Sequence, residues 1–179
     1  MSFADKLSLI RIILIPIFVS LLLYSRSFPI FKKVAICVFI LAILSDFLDG
    51  LVARIKKEKS SVGVVLDPLA DKLLLLTAFI VLYLLGFNLP KWLVLIVVSR
   101  DFIILLGIVI LTFLKIEISI SPSWWGKLTT FFQMITILTV LSNLFSLFYL
   151  RILWVLTAIF TLISGVDYLR RGIKALNQK

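Results

Sequence analysis

Apolar residues fall into six long stretches, each bounded by charged residues, proline or glycine. These stretches cover roughly residues 7–24, 30–53, 64–86, 90–114, 126–147 and 149–169. A helix needs about 20 apolar residues to cross the hydrocarbon core of a bilayer. The pattern therefore predicts an all-α integral membrane bundle of six transmembrane helices. The connections are short, so neighbouring helices should run antiparallel, and we expect a single domain over residues 1–179.

The composition excludes most soluble classes of protein. Of the 179 residues, 62% are apolar and 16% are charged, and the mean hydropathy is +1.20. Soluble domains carry about half apolar and about a quarter charged residues. Histidine is absent and Cys37 is the single cysteine, which excludes His-based triads, His-ligated metal sites and an intrachain disulfide.

The charge is strongly basic, with 19 Lys and Arg against 9 Asp and Glu, a net charge of +10. Most basic residues lie between the apolar stretches, which favours anionic lipid headgroups as partners and not nucleic acid. Twelve of them, Arg11 among these, fall on the side that carries both termini, and five fall on the opposite side. The positive-inside rule therefore places both termini in the cytoplasm.

Four aspartates lie at the cytoplasmic ends of the second and third stretches, where charged side chains are costly and usually functional. Asp46 and Asp49 are three residues apart, and Asp67 and Asp71 are four apart, so each pair shares one helix face. If the two helices are antiparallel neighbours, all four carboxylates reach one depth and face each other.

Four clustered carboxylates repel one another unless cations neutralise them. Their charge matches two divalent cations, and an all-oxygen site suits Mg²⁺, Mn²⁺ or Ca²⁺. Such a two-metal site is typical of phosphoryl-type transfer. The structural alternative is that these aspartates pair with nearby Lys and Arg residues or cap helices.

Smaller residues beside the acids fit the same chemistry. Gly50 and Ala53 allow a ligand to approach the backbone closely, and Gly63 permits a turn over a phosphate. Arg54 can hold a phosphate through two hydrogen bonds. Taken alone, each of the three small residues is more typical of a packing position, and Arg54 is equally typical of a positive-inside anchor.

Eight of these residues form one motif across 26 positions, Asp46-x2-Asp49-Gly50-x2-Ala53-Arg54-x8-Gly63-x3-Asp67-x3-Asp71. This motif resembles the signature of the CDP-alcohol phosphatidyltransferase family at all eight positions. The opening Leu7-Ser8-Leu9-Ile10-Arg11 also resembles that family, as does the six-helix layout.

The resemblance implies transfer of a phosphatidyl group from CDP-diacylglycerol to an alcohol, with release of CMP and with two Mg²⁺ or Mn²⁺ ions. It implies an active site at the cytoplasmic end of helices 2 and 3, in a bacterial-type inner membrane, and homodimers, which many members form. Carried over by motif position, the metal ligands are Asp46, Asp49, Asp67 and Asp71, with Asp71 as the catalytic base. The residues that bind the CDP group are Gly50, Ala53, Arg54 and Gly63.

The motif does not specify the acceptor alcohol, which the later stretches must decide. Arg100, inside the fourth stretch, and Lys127, at the start of the fifth, are candidates for binding an acceptor phosphate. The structural alternative is that Arg100 and Asp101 neutralise other groups or anchor helices. The run Gly126 to Thr130, followed by Gln133, resembles phosphatidylglycerophosphate synthases and the related cardiolipin synthases. The former usually carry a second Arg after the first, whereas residues 108–114 contain none here. We expect glycerol 3-phosphate as the acceptor, with phosphatidylglycerol as the alternative.

A small membrane transporter is the competing class, because six spans and intramembrane acids are also typical of transporters. Transporters have helices that are broken near the middle of the membrane. Here Pro16 is the main residue of that kind, and the acids lie near one surface. The sequence therefore favours the enzyme.

Overall fold

Every secondary-structure element in the described part of the chain is a helix. The computed structural model describes the backbone of residues 3–56, 63–113 and 123–176, and the side chains of residues 10–45, 72–107 and 123–174. The helices are α1 (Phe3–Tyr24), α2 (Pro29–Lys56), α3 (Gly63–Leu84), α4 (Lys91–Phe113), α5 (Trp124–Ser142) and α6 (Leu147–Leu176). The prediction of an all-helical chain with six helices is confirmed.

The end of α5 comes earlier than the predicted boundary. The apolar pattern runs on to residue 147, but the helix ends at Ser142 because Asn143 adopts a left-handed conformation with φ 54°. The Asn143 amide donates to the Thr139 carbonyl and closes the last turn. Asparagine tolerates this conformation better than most residues, so it ends a helix inside an apolar run.

The described helices form two compact units, Met1–Phe87 and Asn88–Lys179. In the first unit α1 packs against both α2 and α3. The ring of Phe18 lies 5.4 Å from that of Phe39, and Tyr24 lies 6.1 Å from Phe31, so α1 and α2 run antiparallel.

The same unit shows that α1 and α3 are parallel. Arg26, just after α1, donates from Nη2 to the carbonyl of Leu85, just after α3. Both helices therefore end at the same side of the unit, and α2 begins there. The opposite side carries the start of α1, the end of α2 and the start of α3. The α2 and α3 helices therefore run in opposite directions, as predicted, and their facing each other stays a prediction.

In the second unit α6 packs against α4 and α5. The Thr129 hydroxyl on α5 donates to the Phe160 carbonyl on α6, and the hydroxyls of Thr136 and Thr157 are 2.8 Å apart. These pairs show that α5 and α6 are antiparallel. Threonines so placed join two helices through hydrogen bonds within an otherwise apolar contact.

The apolar exterior of the helices explains the hydropathy of the sequence. Exposed large apolar side chains follow one side of α6, from Phe148 through Ile159 to Leu169. The segment Leu147–Lys174 is long and apolar enough to cross a membrane, and only 28% of its most apolar window is buried. Within the described residues it is the one helix that meets this criterion, beside shorter apolar helical stretches at Ile10–Tyr24 and Lys72–Leu84. Six membrane spans stay a prediction.

Candidate active site

The backbone places the acidic motif on two continuous helices. Asp46 and Asp49 belong to α2, and Asp67 and Asp71 belong to α3. All four positions lie toward the side of the first unit where α2 ends and α3 begins. Helical geometry puts positions three or four residues apart on the same face, so each helix contributes one acidic face.

The side chains of all eight motif residues lie outside the described side chains. For the predicted CDP-binding residues, the backbone places Gly50, Ala53 and Arg54 in the last turns of α2 and Gly63 at the first residue of α3. Among the described residues no group of three or more potential metal ligands comes together. The metal-binding and CDP-binding roles therefore stay predictions.

A buried cation lies in the same unit. Arg11, on α1, is only 1% exposed and is among the largest fully buried side chains that the structure describes. By sequence, Arg11 is among the basic residues on the side that carries both termini, and the structure shows that its side chain is buried in the protein. The residue lies far enough into α1 for the packing of α1 against α2 and α3 to enclose it.

The second unit contains a buried ion pair. The guanidinium of Arg100 donates from Nη1 to the Asp101 carboxylate at 2.6 Å and from Nη2 to the Ser164 hydroxyl at 2.5 Å. Arg100 is 7% exposed and Asp101 is fully buried. The pair therefore binds α4 to α6 and carries no net charge into the helix contact.

Small residues make room for this arrangement. A Cβ atom at Gly165 would lie 3.4 Å from Cγ of Arg100, and one at Gly107 would lie 3.1 Å from the Tyr168 ring. Both glycines sit in the contact between α4 and α6, where they allow large polar side chains to lie between two closely packed helices. The spacing also shows that α4 and α6 run parallel.

The first turn of α5 closes over the same arginine. A Cβ atom at Gly126 would lie 3.8 Å from the Ser164 hydroxyl and 3.9 Å from Nη2 of Arg100. The hydroxyl of Ser123 caps the helix by accepting from the Gly126 amide at 2.9 Å. Lys127, in the same turn, is exposed, with Nζ 5.9 Å from the Trp124 ring centre. The structure thus brings both predicted acceptor residues to one helix start.

This region has unused hydrogen-bonding capacity. Arginine carries five N–H donors, and Nε of Arg100 is buried with no hydrogen-bond partner among the described residues. The start of α5 adds the partial positive charge of a helix N-terminus. Positive charge, spare donors and an exposed lysine together suit an anionic oxygen group such as a phosphate.

Two residues of these regions were missed by sequence reasoning as functional candidates. Ser164 is 64 positions from Arg100, and a single serine in an apolar helix carries no signal of its own. Arg11 did carry a signal, because it follows four apolar and small residues inside the first apolar stretch. Asp167 and Arg171, four residues apart on α6, form an ion pair at 3.1 Å.

The donor set at the acidic faces fits hard divalent cations. All four candidate ligands are carboxylates, which supply the oxygen atoms that Mg²⁺ and Mn²⁺ prefer. The four backbone positions lie toward one side of a single compact unit, as a shared site requires. The chain therefore has suitable residues for two such ions.

Comparison with known sequences supports the same family that the motif indicates. The sequence model of the CDP-alcohol phosphatidyltransferase family matches residues 1–163. A probable phosphatidylglycerophosphate synthase of Mycobacterium tuberculosis is 33% identical over 97% of this chain and 82% of its own length.

Two proteins named CDP-diacylglycerol–glycerol-3-phosphate 3-phosphatidyltransferase are equally similar. That of Bacillus subtilis is 34% identical over 96% of this chain and 95% of its own length. That of Aquifex aeolicus is 33% identical over 98% of both chains. The predicted phosphatidyltransferase activity is confirmed, and with the motif, the helical fold and these matches in agreement, the chain belongs to the CDP-alcohol phosphatidyltransferase family.

Proposed function

We propose that this enzyme transfers the phosphatidyl group of CDP-diacylglycerol to glycerol 3-phosphate and releases CMP. The observation that carries the proposal is the complete eight-residue motif, with its acids on α2 and α3 at one side of the first unit. The names of the M. tuberculosis, B. subtilis and A. aeolicus relatives support the choice of acceptor.

The four motif aspartates are proposed to hold two divalent cations, in keeping with a family that is generally dependent on divalent metals. Asp46 and Asp49 supply carboxylates from α2, and Asp67 and Asp71 supply them from α3. When bound, Mg²⁺ or Mn²⁺ would neutralise phosphate oxygens and stabilise the charge that develops during transfer.

The remaining motif residues are proposed to bind the donor. Gly50 and Ala53 have little or no side chain, so the nucleotide diphosphate can approach the α2 backbone. Arg54 holds a phosphate oxygen through its planar donors, and Gly63 lets the start of α3 approach the same group. These residues thus orient the bond that breaks.

The reaction is a direct displacement at phosphorus. The acceptor hydroxyl attacks the phosphorus that carries diacylglycerol, and the phosphoanhydride bond to CMP breaks. Asp71 accepts the proton of the attacking hydroxyl. The products are phosphatidylglycerol phosphate and CMP, and Asp71 releases the proton to solvent, so that all four motif carboxylates are available for the next turnover.

The acceptor phosphate is proposed to bind at the start of α5. Arg100 lies beside that turn with a spare Nε–H, and Lys127 is exposed on it. Glycerol 3-phosphate carries the dianionic group that such donors recognise.

Phosphatidylglycerol is the second candidate acceptor, which would make the enzyme a cardiolipin synthase. The observation that favours it is the absence of a second arginine in residues 108–114 after Arg100. Its phosphodiester carries one charge less, so it needs fewer cationic partners than glycerol 3-phosphate.

The family is membrane-associated, and α6 supplies one helix able to span a bilayer. We place the enzyme in the bacterial inner membrane with six spans, with both termini and the active site on the cytoplasmic side. Within each unit successive helices alternate in direction, which supports this layout. A homodimer in contact with membrane lipids is the proposed assembly.

The test is CMP release by the purified protein in lipid with CDP-diacylglycerol, Mg²⁺ or Mn²⁺, and each acceptor separately. We expect turnover with glycerol 3-phosphate and a loss of at least about a hundredfold in Asp71→Asn, because a proton acceptor and metal ligand is removed. Asp167→Asn is the matched control, since Asp167 is not a motif residue and pairs with Arg171 of its own helix, and its loss should leave turnover near wild type.

Each other outcome has a distinct meaning. Turnover with phosphatidylglycerol alone would establish the second candidate acceptor. A folded protein that releases no CMP with any acceptor would refute the proposed reaction and would favour the small membrane transporter instead.

A further inference from the structure

The first unit buries a permanent positive charge. Arg11 is 1% exposed, and among the cationic side chains described in this unit it is the only fully buried one; Lys72 is half-buried and Arg26 is exposed. A guanidinium stays protonated in proteins. Because a buried charge is costly unless opposite charge lies nearby, the surroundings of Arg11 must compensate it.

The helix register shows which positions lie opposite Arg11. Phe18 on α1 contacts Phe39 on α2, with ring centres 5.4 Å apart. Arg11 lies seven residues before Phe18, and Asp46 lies seven residues after Phe39. Seven residues are close to two helical turns, so each position returns to nearly the same face. In this antiparallel pair, position 46 of α2 therefore lies opposite position 11 of α1.

The register of α1 and α3 gives the same depth. The two helices run parallel and end together at Tyr24 and Leu84. Arg11 and Asp71 each lie 13 residues before these ends, which corresponds to about 20 Å along either axis. Each of the two acidic helices, α2 and α3, therefore has an aspartate position at the same depth as Arg11.

We propose that Arg11 is the built-in counterion of the acidic motif. Its fixed charge stabilises the four-aspartate end of the first unit before any divalent cation binds, and it weakens the binding of that cation. The protein can then fold without metal and bind it reversibly. This inference rests on the proposed metal site of the motif and adds to it a residue that sets its affinity.

The experiment measures Mn²⁺ binding without substrate. Full-length protein in detergent is titrated with Mn²⁺, free ion is followed by electron paramagnetic resonance, and the Tm of the metal-free protein is recorded. Arg11→Gln should lower the Kd for Mn²⁺ by about tenfold or more, because one repelling charge is removed at short range. The same variant should have a lower metal-free Tm than wild type.

Two further variants separate charge from packing. Arg11→Lys keeps the charge and should bind Mn²⁺ within about threefold of wild type, as expected from Coulomb's law at a similar distance. Arg26→Gln removes the same charge from the opposite side of the unit, about 20 Å away along the helices, and should leave the Kd unchanged.

A double variant keeps the proposal testable if Arg11→Gln alone does not fold without metal. In Arg11→Gln/Asp46→Asn the loss of one negative charge balances the loss of the positive charge of Arg11, so the metal-free Tm should recover toward wild type. Failure of the double variant to fold or to recover would overturn the inference.

The result that overturns this inference alone is saturable Mn²⁺ binding by wild type with an equal or higher Kd in Arg11→Gln. Absence of saturable binding by folded wild type would instead overturn the metal site of the proposed function. The two failures are therefore distinguishable.

Discussion

The two units of the chain differ in where the opposite charge of a buried arginine lies in the sequence. In the second unit Arg100 and its sequence neighbour Asp101 neutralise each other at 2.6 Å, with the Ser164 hydroxyl as a further partner. In the first unit Arg11 is buried in a bundle whose acidic motif has four carboxylates on two other helices.

The difference separates a structural use of charge from a functional one. A buried pair that is neutral in itself needs no ligand and joins α4 to α6. An unequal set of charges, with acids in excess over the buried arginine, is stabilised further when protons or metal ions bind to it. The excess of acids in the first unit would therefore favour the cation binding proposed there, whereas the charge of Arg100 is already balanced by Asp101 without a ligand.

The largest expected effect is the difference in stability between two variants, each of which neutralises one acid in one of the units. Asp101→Asn leaves the guanidinium of Arg100 buried without its counterion, so we expect the stability to fall by about 3–5 kcal/mol. Asp67→Asn removes one of several like charges, so the metal-free Tm should stay the same or rise. Thermal unfolding of both variants without metal checks this contrast, and equal losses of stability would refute the proposed difference between the units.

A smaller effect is expected where the second unit orients its arginine. Ser164→Ala removes the hydroxyl that accepts from Nη2 of Arg100. We expect the KM for glycerol 3-phosphate to rise about three- to tenfold with kcat nearly unchanged, because a hydrogen bond that positions a charged donor is lost. Steady-state kinetics with the acceptor varied at saturating CDP-diacylglycerol gives the two constants.

Thr161→Val is the control for that substitution. Thr161 lies one turn earlier on α6, is equally buried, and donates only to the Thr157 carbonyl of its own helix. Its loss should leave the KM for the acceptor unchanged. A similar rise in KM for both variants would show that Ser164 acts through general packing of α6.

The smallest effect is expected at the hydroxyl pair between α5 and α6. Thr136→Val removes one partner of the 2.8 Å contact with Thr157, whose hydroxyl keeps a bond to the Leu153 carbonyl. Hydrogen bonds between helices in a membrane contribute about 0.6 kcal/mol on average. Urea or thermal unfolding in detergent should show a loss of that size, and a loss as large as that of Asp101→Asn would show that these threonines carry more of the helix contact than their bonds account for.

The apolar pattern predicted much of the secondary structure, because the number and order of helices follow from six apolar runs separated by charges and turns. The predicted helix boundaries were less exact where a polar residue ended a helix inside an apolar stretch or where polar residues extended a helix beyond it. Asn143 ended α5 early, and the basic C-terminal residues continued α6 to Leu176. Helical propensity, which is high for Arg, Lys and Leu, explains the second difference.

The chemical class of the site followed from the sequence for a similar reason. The spacings of the four aspartates are local, and a helix converts them into shared faces without help from the rest of the fold. The motif therefore indicated an all-oxygen, two-cation site and the family before any packing was known. Ser164 had no such local pattern, because its role depends on Arg100 being folded against it.

The sequence by itself thus determined the helices, the family and the acidic faces, all of which depend on neighbours within a few residues. The tertiary structure alone decided that Arg11 is buried, that Arg100 reaches Ser164 across 64 residues, and that Gly126 places the start of α5 over the same guanidinium. Helical periodicity tells which side chains share a face, but the partner of that face is chosen by packing between segments far apart in the chain.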